Sequence, residues 1–203
     1  MKKCDCSDFN LDTLPGISKI VCLEEVDSTQ SVARELAQEG TAEKTLVLAE
    51  TQSGGRGQLD REWESGPGGL YMTLLLKPET EIKFLPELSV LTGEAVAETI
   101  SELYGIKTRI KKPNDVYAWH PRRRKWLKIS GILTESSSSP SGLSWLLLGV
   151  GVNLNNTVKL DTAVSVKAIK GAGVSREDFL AALLNIFWAR YSAWAYGSQA
   201  KAE

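Results

Sequence analysis

Histidine and cysteine are scarce in this chain, which has one histidine and three cysteines among its 203 residues. The histidine, His120, lies in a basic segment with turn character, so catalysis by an imidazole acid or base is not expected. Cys4, Cys6 and Cys22 are odd in number, and they are too few for a disulfide framework or a structural zinc site. We expect reduced thiols, and covalent catalysis by cysteine has little support.

An excess of charge and a long apolar run are also missing. The chain has 24 basic and 25 acidic residues, and its net charge of -1 gives no general reason to bind nucleic acid or an anionic membrane. No stretch approaches the length of a membrane span, and the N-terminus lacks the apolar run of a signal peptide. With 42% hydrophobic residues, the sequence predicts a cytoplasmic protein with a single domain over 1–203.

Apolar periodicity alternates between the patterns of strands and helices along the chain. Helices are predicted at 28–39, at 84–104 with Leu103 on the buried stripe, and from a capping box at 175–178. Strands are predicted at 17–26, 45–50, 70–76, 116–119, 126–135 and 143–154, with another beginning at Thr108 and turns at 120–125 and 136–142. This order predicts an α+β fold with a sheet rich in antiparallel pairs.

A glycine-rich segment at 53–63 joins two of these strands. Its glycines permit backbone conformations closed to other residues, and they leave N–H groups free to bind oxyanions. Arg56 and Arg61 add planar charged groups that match a carboxylate or a phosphate. The segment predicts a local anion site, although a flexible surface loop with solvated arginines fits the same residues.

A lysine, Lys128, lies in an otherwise apolar strand, three residues before Gly131. A glycine inside a strand often marks a close approach of a ligand or of another backbone, so the ammonium group is placed to meet a substrate. The alternative is a lysine on an edge strand, where its charge prevents aggregation. Together with the arginines of the loop, Lys128 favours catalysis by positioning and electrostatics.

Five ordered motifs resemble the catalytic domain of the biotin protein ligases, and the match extends over 17–194. They are Asp-Ser-Thr-Gln at 27–30, Glu-Thr-Gln-Ser-Gly-Gly-Arg-Gly at 50–57, Pro-Asn-Asp at 113–115, Lys-Ile-Ser-Gly-Ile-Leu at 128–133 and Gly-Val-Gly-Val-Asn-Leu at 149–154. Each motif is weak alone, but the ordered set is specific. The resemblance implies a class II aminoacyl-tRNA synthetase-like domain, with a mixed, mostly antiparallel sheet flanked by helices.

The resemblance also implies a reaction. Biotin and ATP would form biotinyl-5′-adenylate and pyrophosphate, with Mg²⁺ accompanying the ATP. A lysine of a biotin carboxyl carrier protein, from acetyl-CoA carboxylase or a related carboxylase, would then take the biotinyl group. Relatives often form sheet-edge dimers, so a homodimer is compatible with the resemblance, whereas nucleic acid and membrane are not expected partners.

By the same resemblance, Lys128 and Arg56 would carry the catalysis. Biotin would be bound by Ser28, Thr29, Gln30, Gln52, Gly55, Arg56, Gly57, Gln58, Tyr71, Lys128 and Gly131. ATP and the adenylate would be bound by Arg56, Arg61, Trp63, Asn114, Lys128 and Asn153. Asp115 would assist a metal ion or the geometry of its loop.

These assignments have simpler structural alternatives. Ser28 and Thr29 are also suitable helix caps. Asn114 and Asp115 suit an ordinary turn, and Trp63 suits a core anchor for the loop. Without the family pattern, the structural alternatives would be preferred.

Other functions are also compatible with the sequence. A lipoyl or octanoyl transferase of the same superfamily would use Lys128 similarly, although Arg61 and Trp63 in the loop favour the biotin branch. The chain could instead be a non-catalytic module that binds biotin or adenylate, or it could contact nucleic acid through the basic run at 122–125. For that short run, a solvated hairpin turn is the simpler interpretation.

The chain departs from the family pattern at three points. Gln58 stands where relatives usually have a second arginine, which removes a charge from the phosphate of the adenylate. Lys112 stands where relatives usually have a tryptophan, which removes an aromatic wall and adds a charge. We also expect neither a DNA-binding winged helix before Ile17 nor a small SH3-like β-domain after Trp194.

Overall fold

The computed structural model describes residues 9, 11–58, 61–140 and 142–200, and Cys4 and Cys6 lie outside these ranges. The helices within them are α1 (Thr29–Gln38), α2 (Leu85–Tyr104), α3 (Val166–Lys170) and α4 (Arg176–Ala200). The strands are β1 (Lys19–Val26), β2 (Thr45–Gln52), β3 (Leu70–Leu76), β4 (Thr108–Lys111), β5 (Asp115–His120), β6 (Lys125–Ser139) and β7 (Gly142–Val152). Short 3-10 turns occupy Leu11–Thr13 and Ile82–Phe84.

The strands form one sheet in the order β1-β2-β3-β7-β6-β5-β4. β1 runs parallel to β2, and the other neighbouring pairs are antiparallel. The prediction of a mixed, mostly antiparallel sheet flanked by helices is confirmed. Because β6 lies between β7 and β5, Lys128 is not on an edge strand, and that alternative for it is wrong.

Helices cover both faces of the sheet. α1 packs on β2, β3 and β7, whereas α2 packs on β4, β5 and β6 and carries α4 behind it. Val47 and Leu48 are neighbours on β2 but belong to different apolar clusters, because successive strand side chains point to opposite faces. Gly93 of α2 faces Ile132 and Val116 on the sheet, at distances where a Cβ would make ordinary van der Waals contact.

Strand β6 contains a bulge at the predicted lysine motif. Successive residues of β5 pair with Ser130 and then with Lys128, so Ile129 is an extra residue in β6. A Cβ on Gly131 would lie 3.5 Å from Lys128 Cε. Lys128 and Gly131 therefore share one face of the sheet.

The helix ends follow the predicted cap residues, but one residue predicted on the buried stripe of α2 is exposed. Ser28 caps α1, and Gly105 ends α2 in the left-handed conformation with a φ of 65°. Leu103 is 42% exposed, so the prediction that it is buried is wrong. The last turn of α2 packs through Tyr104 instead, whose ring stacks on Phe179 of α4 at 6.3 Å.

One local prediction fails between the last two strands, and one short helix after them was missed. The turn expected at 136–142 is much shorter, because Ser136 and Ser137 pair with β7 and extend β6 as far as Ser139. Pairing in the ladder here outweighs the weak strand preference of serine. The short helix α3 was not predicted, although Ser165 caps its start and Gly171 ends it with a φ of 79°.

Cys22 on β1 is disulfide-bonded, so the expectation of reduced thiols is wrong for this residue. A count of cysteines does not show which sulfur atoms meet in space, so the number of cysteines could not predict this disulfide.

Among the described residues, no helix combines the length and the apolar character needed to cross a membrane.

Candidate active site

A narrow cavity lies between the start of α1, the 53–63 loop and strands β3, β6 and β7. Its volume is about 50 Å³. The predicted biotin-binding residues line it, apart from Gly55. The lining comprises Ser28, Thr29, Gln30, Gln52, Arg56, Gly57, Gln58, Trp63, Tyr71, Met72, Asn114, Lys128, Gly131, Ile132, Leu133, Gly149, Val150 and Gly151. Residues distant in sequence thus converge on one cavity.

An open groove of about 430 Å³ adjoins this cavity. Arg61, Asn153 and Asp115 line the groove. Lys111 lines it as well, whereas Lys112 does not. Five residues line both spaces: Gly57, Gln58, Trp63, Asn114 and Lys128. Of the predicted nucleotide residues, Arg61 and Asn153 thus line only the groove, whereas Arg56 lines only the cavity. The other three line both spaces.

A chain of hydrogen bonds fixes the polar wall of the cavity. The Thr73 hydroxyl donates to Thr29 Oγ1 at 2.9 Å. The Thr29 hydroxyl and backbone N–H both donate to Gln52 Oε1, at 3.2 and 2.9 Å. Gln52 Nε2 donates to Ser65 Oγ at 2.7 Å, and that hydroxyl donates to the carbonyl of Trp63 at 3.0 Å. The orientation of the Gln52 amide is set by these partners.

Gln30 offers an acceptor in the same cavity. Its Nε2 donates to the carbonyl of Leu133 at 2.9 Å, while its Oε1 is buried with no partner among the described residues. A buried acceptor without a donor costs free energy, so this oxygen is ready to accept from the N–H of a ligand. Ser28 lines the cavity and also caps α1, accepting from Gln30 N at 3.2 Å.

The Trp63 ring lies over two glycines of the central strands. A Cβ on Gly151 would lie 2.5 Å from Trp63 Nε1, and a Cβ on Gly131 would lie 3.1 Å from Trp63 Cζ3. The indole N–H is buried with no partner among the described residues. Ligand pockets usually have volumes of about 300 Å³ or more, so the loop that carries Trp63 must shift to admit a small molecule of ordinary size.

Lys128 lies where the cavity meets the groove. Its Nζ is 2.6 Å from Asp115 Oδ1 and 5.3 Å from the centroid of the Trp63 ring. The segment at 162–164 holds the backbone of Lys128, whose N–H donates to Thr162 O and whose carbonyl accepts from Val164 N, both at 2.9 Å.

No group of three or more His, Cys, Asp or Glu side chains in the described ranges is placed to hold a metal ion.

Among the loop glycines, Gly55 is required for close packing against backbone, and none is required for an unusual backbone angle. None of Gly54, Gly55 and Gly57 has a positive φ, so the prediction that they adopt conformations closed to other residues is wrong. A Cβ on Gly54 would lie 2.1 Å from Asp27 Oδ1, and one on Gly55 would lie 2.4 Å from the Trp63 carbonyl. These contacts are with the protein itself, which the sequence could not show.

The loop folds back on itself at both ends. Gly57 N donates to Arg61 O at 2.6 Å, and Trp63 N donates to Gly55 O at 2.8 Å. Leu59 and Asp60, at the tip, lie outside the described residues. The backbone N–H groups of Gly57 and Trp63 are therefore already used within the loop.

Arg56 rests on the start of α1. Its Nη2 lies 3.2 Å from Ser31 Oγ and 3.9 Å from Asp27 Oδ2. The Ser31 hydroxyl in turn donates to the same Asp27 oxygen at 3.2 Å. Arg56 lines the cavity, but its guanidinium is shared with this polar pair.

Tyr71 and the two asparagines have structural partners within the site. The Tyr71 hydroxyl donates to Gly66 O at 2.7 Å, and burial raises the pKa of Tyr71 far above its ordinary range. Asn114 Nδ2 donates to Ile132 O at 3.0 Å. Asn153 Oδ1 accepts from a neighbouring asparagine amide at 2.9 Å. These three residues shape the walls of the two compartments.

Sequence reasoning missed several residues of the site. Met72, Ile132, Leu133, Gly149, Val150 and Gly151 line the cavity, and Thr73 and Ser65 orient its polar wall. The alternation of glycine and valine at 149–152 was a usable signal, since a glycine inside a strand marks close approach. Thr73 lies in a fully buried strand and carries no such signal.

The sequence profile of the biotin/lipoate A/B protein ligase family matches residues 22–153, which contain nearly all of the five motifs. The chain belongs to this family. Membership confirms the resemblance inferred from the motifs.

Curated members of the family are similar over most of the chain. The bifunctional ligase/repressor BirA of Bacillus subtilis is 33% identical over 190 residues, which are 90% of this chain and 57% of that protein. The biotin--[acetyl-CoA-carboxylase] ligase of Paracoccus denitrificans is 34% identical over 180 residues, which are 84% of this chain and 72% of that protein. The chain thus spans little more than half the length of the Bacillus relative.

Solved structures of biotin protein ligases have the same fold. That of the Aquifex aeolicus enzyme in complex with biotin and ATP matches with a TM-score of 0.75 and 31% identity, covering 90% of this chain and 74% of that one. That of the Leishmania major enzyme in complex with biotinyl-5-AMP matches with a TM-score of 0.66 and 27% identity, covering 89% and 76%. The fold is that of a biotin protein ligase catalytic domain.

Proposed function

We propose that this protein activates biotin with ATP and transfers the biotinyl group to a lysine of a biotin carboxyl carrier protein. The observation that carries the proposal is the position of Lys128, which lines both the closed cavity and the open groove. A cation at this junction lies where a carboxylate from the cavity and a phosphate from the groove would meet. The ligands of the Aquifex and Leishmania enzymes support the same pair of substrates.

The first step is an electrostatic problem. The biotin carboxylate must attack the α-phosphorus of ATP, and a bond to oxygen forms there as pyrophosphate leaves. Lys128 reduces the repulsion between the two anions and stabilises the charge that develops in the transition state. Arg56 would add a second cation after leaving Asp27 and Ser31.

The polar wall of the cavity suits the ureido ring of biotin. Gln30 Oε1 is free to accept from a ring N–H, and the Thr29–Gln52 pair provides short polar groups held in place by their own hydrogen bonds. Gly149 and Gly151 present no side chain to the cavity, which leaves room for an aliphatic chain leading towards Lys128. The cavity thus orients the carboxylate towards the groove.

Three carboxylates line the groove, Glu62, Glu64 and Asp115, and Asp115 suits a magnesium ion brought by ATP because it lies beside Lys128. Mg²⁺ is usually held by one or two carboxylates and by phosphate oxygens, with several waters retained. Asp115 would hold it, and the ion would neutralise phosphate charge. Because Asp115 also contacts Lys128 Nζ, it links the metal and the lysine to the same position in the groove.

We infer that the acceptor is the carrier domain of acetyl-CoA carboxylase or a related carboxylase, which the name of the Paracoccus relative supports. A cytoplasmic location and a homodimer stay predictions. The disulfide at Cys22 counts against a reducing compartment, since structural disulfides are rare there. Titrating thiols in the protein isolated from its native host, denatured without reductant, tests the location directly.

Biotin-dependent exchange between pyrophosphate and ATP tests the function with the purified protein. We expect exchange with biotin and Mg-ATP, and none with lipoate in place of biotin. Lys128→Ala and Arg56→Ala should each lower the rate by about a hundredfold or more, because each removes a charge from the transition state. Normal exchange in both variants, or exchange that prefers lipoate, would overturn the proposal.

A further inference from the structure

Five side chains on β4, β5 and β6 form what we call the cationic–aromatic face: Arg109, Lys111, Tyr117, Trp119 and Trp126. Arg109 Cζ lies 4.6 Å from the Trp126 ring centroid and 5.8 Å from that of Tyr117. Lys111 Nζ lies 5.9 Å from the Tyr117 centroid, and the two indole rings meet edge to face at 5.5 Å. Cations and rings therefore alternate in one continuous cluster.

This face of the sheet points away from α2. Val116 and Ala118 are fully buried on the α2 side of β5. Tyr117 and Trp119 alternate with them along the strand, so they project to the opposite side and stay partly exposed. α1, which covers that side elsewhere, packs on β2, β3 and β7. The cationic–aromatic face is thus a sheet surface beyond the reach of α1.

Basic charge is concentrated in this region. Nine of the 22 residues at 107–128 are lysine or arginine, whereas one is acidic, in a chain with a net charge of -1. Within the described ranges, Arg109, Lys111 and Lys125 form no ion pair with a carboxylate. A local excess of unpaired cations attracts an acidic partner and speeds its association.

The face is continuous with the candidate active site. Lys111 and Tyr117 belong to the face and also line the open groove beside Lys128. Charge on an edge strand such as β4 also prevents aggregation, but here the cations extend across three strands from the edge to the groove. A partner bound on this face would have one end at the reacting atoms.

We propose that the cationic–aromatic face docks an acidic surface of the acceptor protein, next to its target lysine; this rests on the proposed function. The acceptor amine must approach Lys128 and Arg56, both cationic, and acidic residues around that amine offset the repulsion. The amine then attacks the acyl carbon of biotinyl-adenylate, the amide C–N bond forms, AMP leaves and the amine loses its proton. The face supplies orientation for this step and no chemistry.

The ring contacts favour a protein over single-stranded nucleic acid. Single-stranded nucleic acid gains affinity by stacking its bases on free aromatic faces. Here Arg109 already lies against both Trp126 and Tyr117, and Trp119 meets Trp126 by an edge. Binding on this surface would therefore depend on charge more than on stacking.

Two charge reversals, Arg109→Glu and Lys107→Glu, test the docking face. Lys107 is exposed, lies two residues before Arg109 and accepts from Trp119 N through its carbonyl, so it borders the same face. Lys19→Glu is the matched control, because Lys19 is exposed on β1, the opposite edge strand. Pyrophosphate exchange reports the first step without an acceptor. Biotin transfer to the purified carrier domain of a biotin-dependent carboxylase reports docking through its KM, and fluorescence anisotropy with a thymidine oligonucleotide reports nucleic-acid binding.

We expect each reversal to raise the KM for the carrier domain about tenfold, with kcat and exchange unchanged and with Lys19→Glu like the wild type. Lys107→Glu guards against misfolding, since Lys107 is exposed outside the strands and takes no part in the ring contacts of the face. An unchanged KM in both reversals overturns the docking face, and so does oligonucleotide binding that is lost while KM stays constant. If the wild-type protein shows no exchange, the proposed function fails, and the docking face falls with it.

Discussion

Lys128 Nζ on β6 lies 2.6 Å from Asp115 Oδ1 on β5, next to the bulge that interrupts the pairing of these two strands. A carboxylate at this distance fixes the ammonium group at the junction of the cavity and the groove. Neither residue type alone signals this contact, because the two are separated by thirteen positions and a hairpin. The pair is the structural centre of the site.

Asp115→Asn should lower the rate of biotin-dependent exchange about tenfold, because the ammonium group loses its charged partner and its fixed position. Asp115→Glu should recover part of the rate, since the longer carboxylate can still reach Lys128. Exchange kinetics at several magnesium concentrations separate the two roles of Asp115. If added magnesium restores the full rate of Asp115→Asn, metal binding and not the lysine contact is its main role.

Gly151→Ala should weaken biotin binding about tenfold, since overpacking in a filled site typically costs about 1–3 kcal/mol. The added methyl would lie 2.5 Å from Trp63 Nε1 and displace the indole ring. Isothermal titration with biotin measures the effect, and tryptophan fluorescence follows the ring. Gly66→Ala is the control, because a Cβ there meets nothing within 4 Å. Equal affinity in Gly151→Ala and the control would contradict the position of Trp63.

Gln58→Arg should slow the release of biotinyl-adenylate about tenfold, because a charged hydrogen bond to phosphate contributes about 1.5–3 kcal/mol. Gln58 lines both compartments, so an arginine there can reach the groove. Free biotinyl-adenylate and stray labelling of bystander lysines measure release. Gln58→Lys provides a control that restores charge without the planar fork. Release at the wild-type rate from the arginine variant would rule out this role.

The protein should lose stability as the pH rises from about 10 to about 12. Burial raises the pKa of Tyr104 and Tyr191 from 10.0 to about 12, with smaller contributions from Asp178 and Glu43. A raised folded pKa means that the stabilisation is complete below the unfolded value and is lost as the pH rises through the folded one. Urea midpoints across this range measure the loss.

The double variant Tyr104→Phe/Tyr191→Phe is the control for the alkaline transition. Phenylalanine keeps the rings of both sites and removes the groups that titrate. Its urea midpoint should fall less steeply with pH than that of the wild-type protein. Parallel curves for the two proteins would show that other groups cause the transition.

Local patterns were sufficient for most of the fold. The helix beginning at Ser28 and the one ending at Gly105 carry their own cap residues, and alternating apolar residues predicted the strands. The 136–142 turn failed because cross-strand pairing with β7 decides the conformation of those serines. Propensity describes a residue alone, whereas a ladder depends on its neighbours.

The candidate site was predictable where one motif carries one role. Lys128 and Gln52 were found because their motifs are recognisable in the chain, and both line the cavity. Thr73 orients Thr29 from a neighbouring strand, and nothing in its own segment indicates this. The resting place of Arg56 on Asp27 depends on how the loop packs against α1. Contacts between segments are set by the tertiary fold, and a single sequence does not show them.

The extra residue at Ile129 has a consequence for how sites of this type can be recognised in sequence. In a regular strand, two residues three apart point in opposite directions, so a lysine and a glycine at that spacing would be separated by the thickness of the sheet. The bulge brings Lys128 and Gly131 to the same side. The odd spacing of the lysine motif is therefore a trace of an irregular backbone, and a regular pairing of β5 with β6 at the same spacing would turn the amine towards α2.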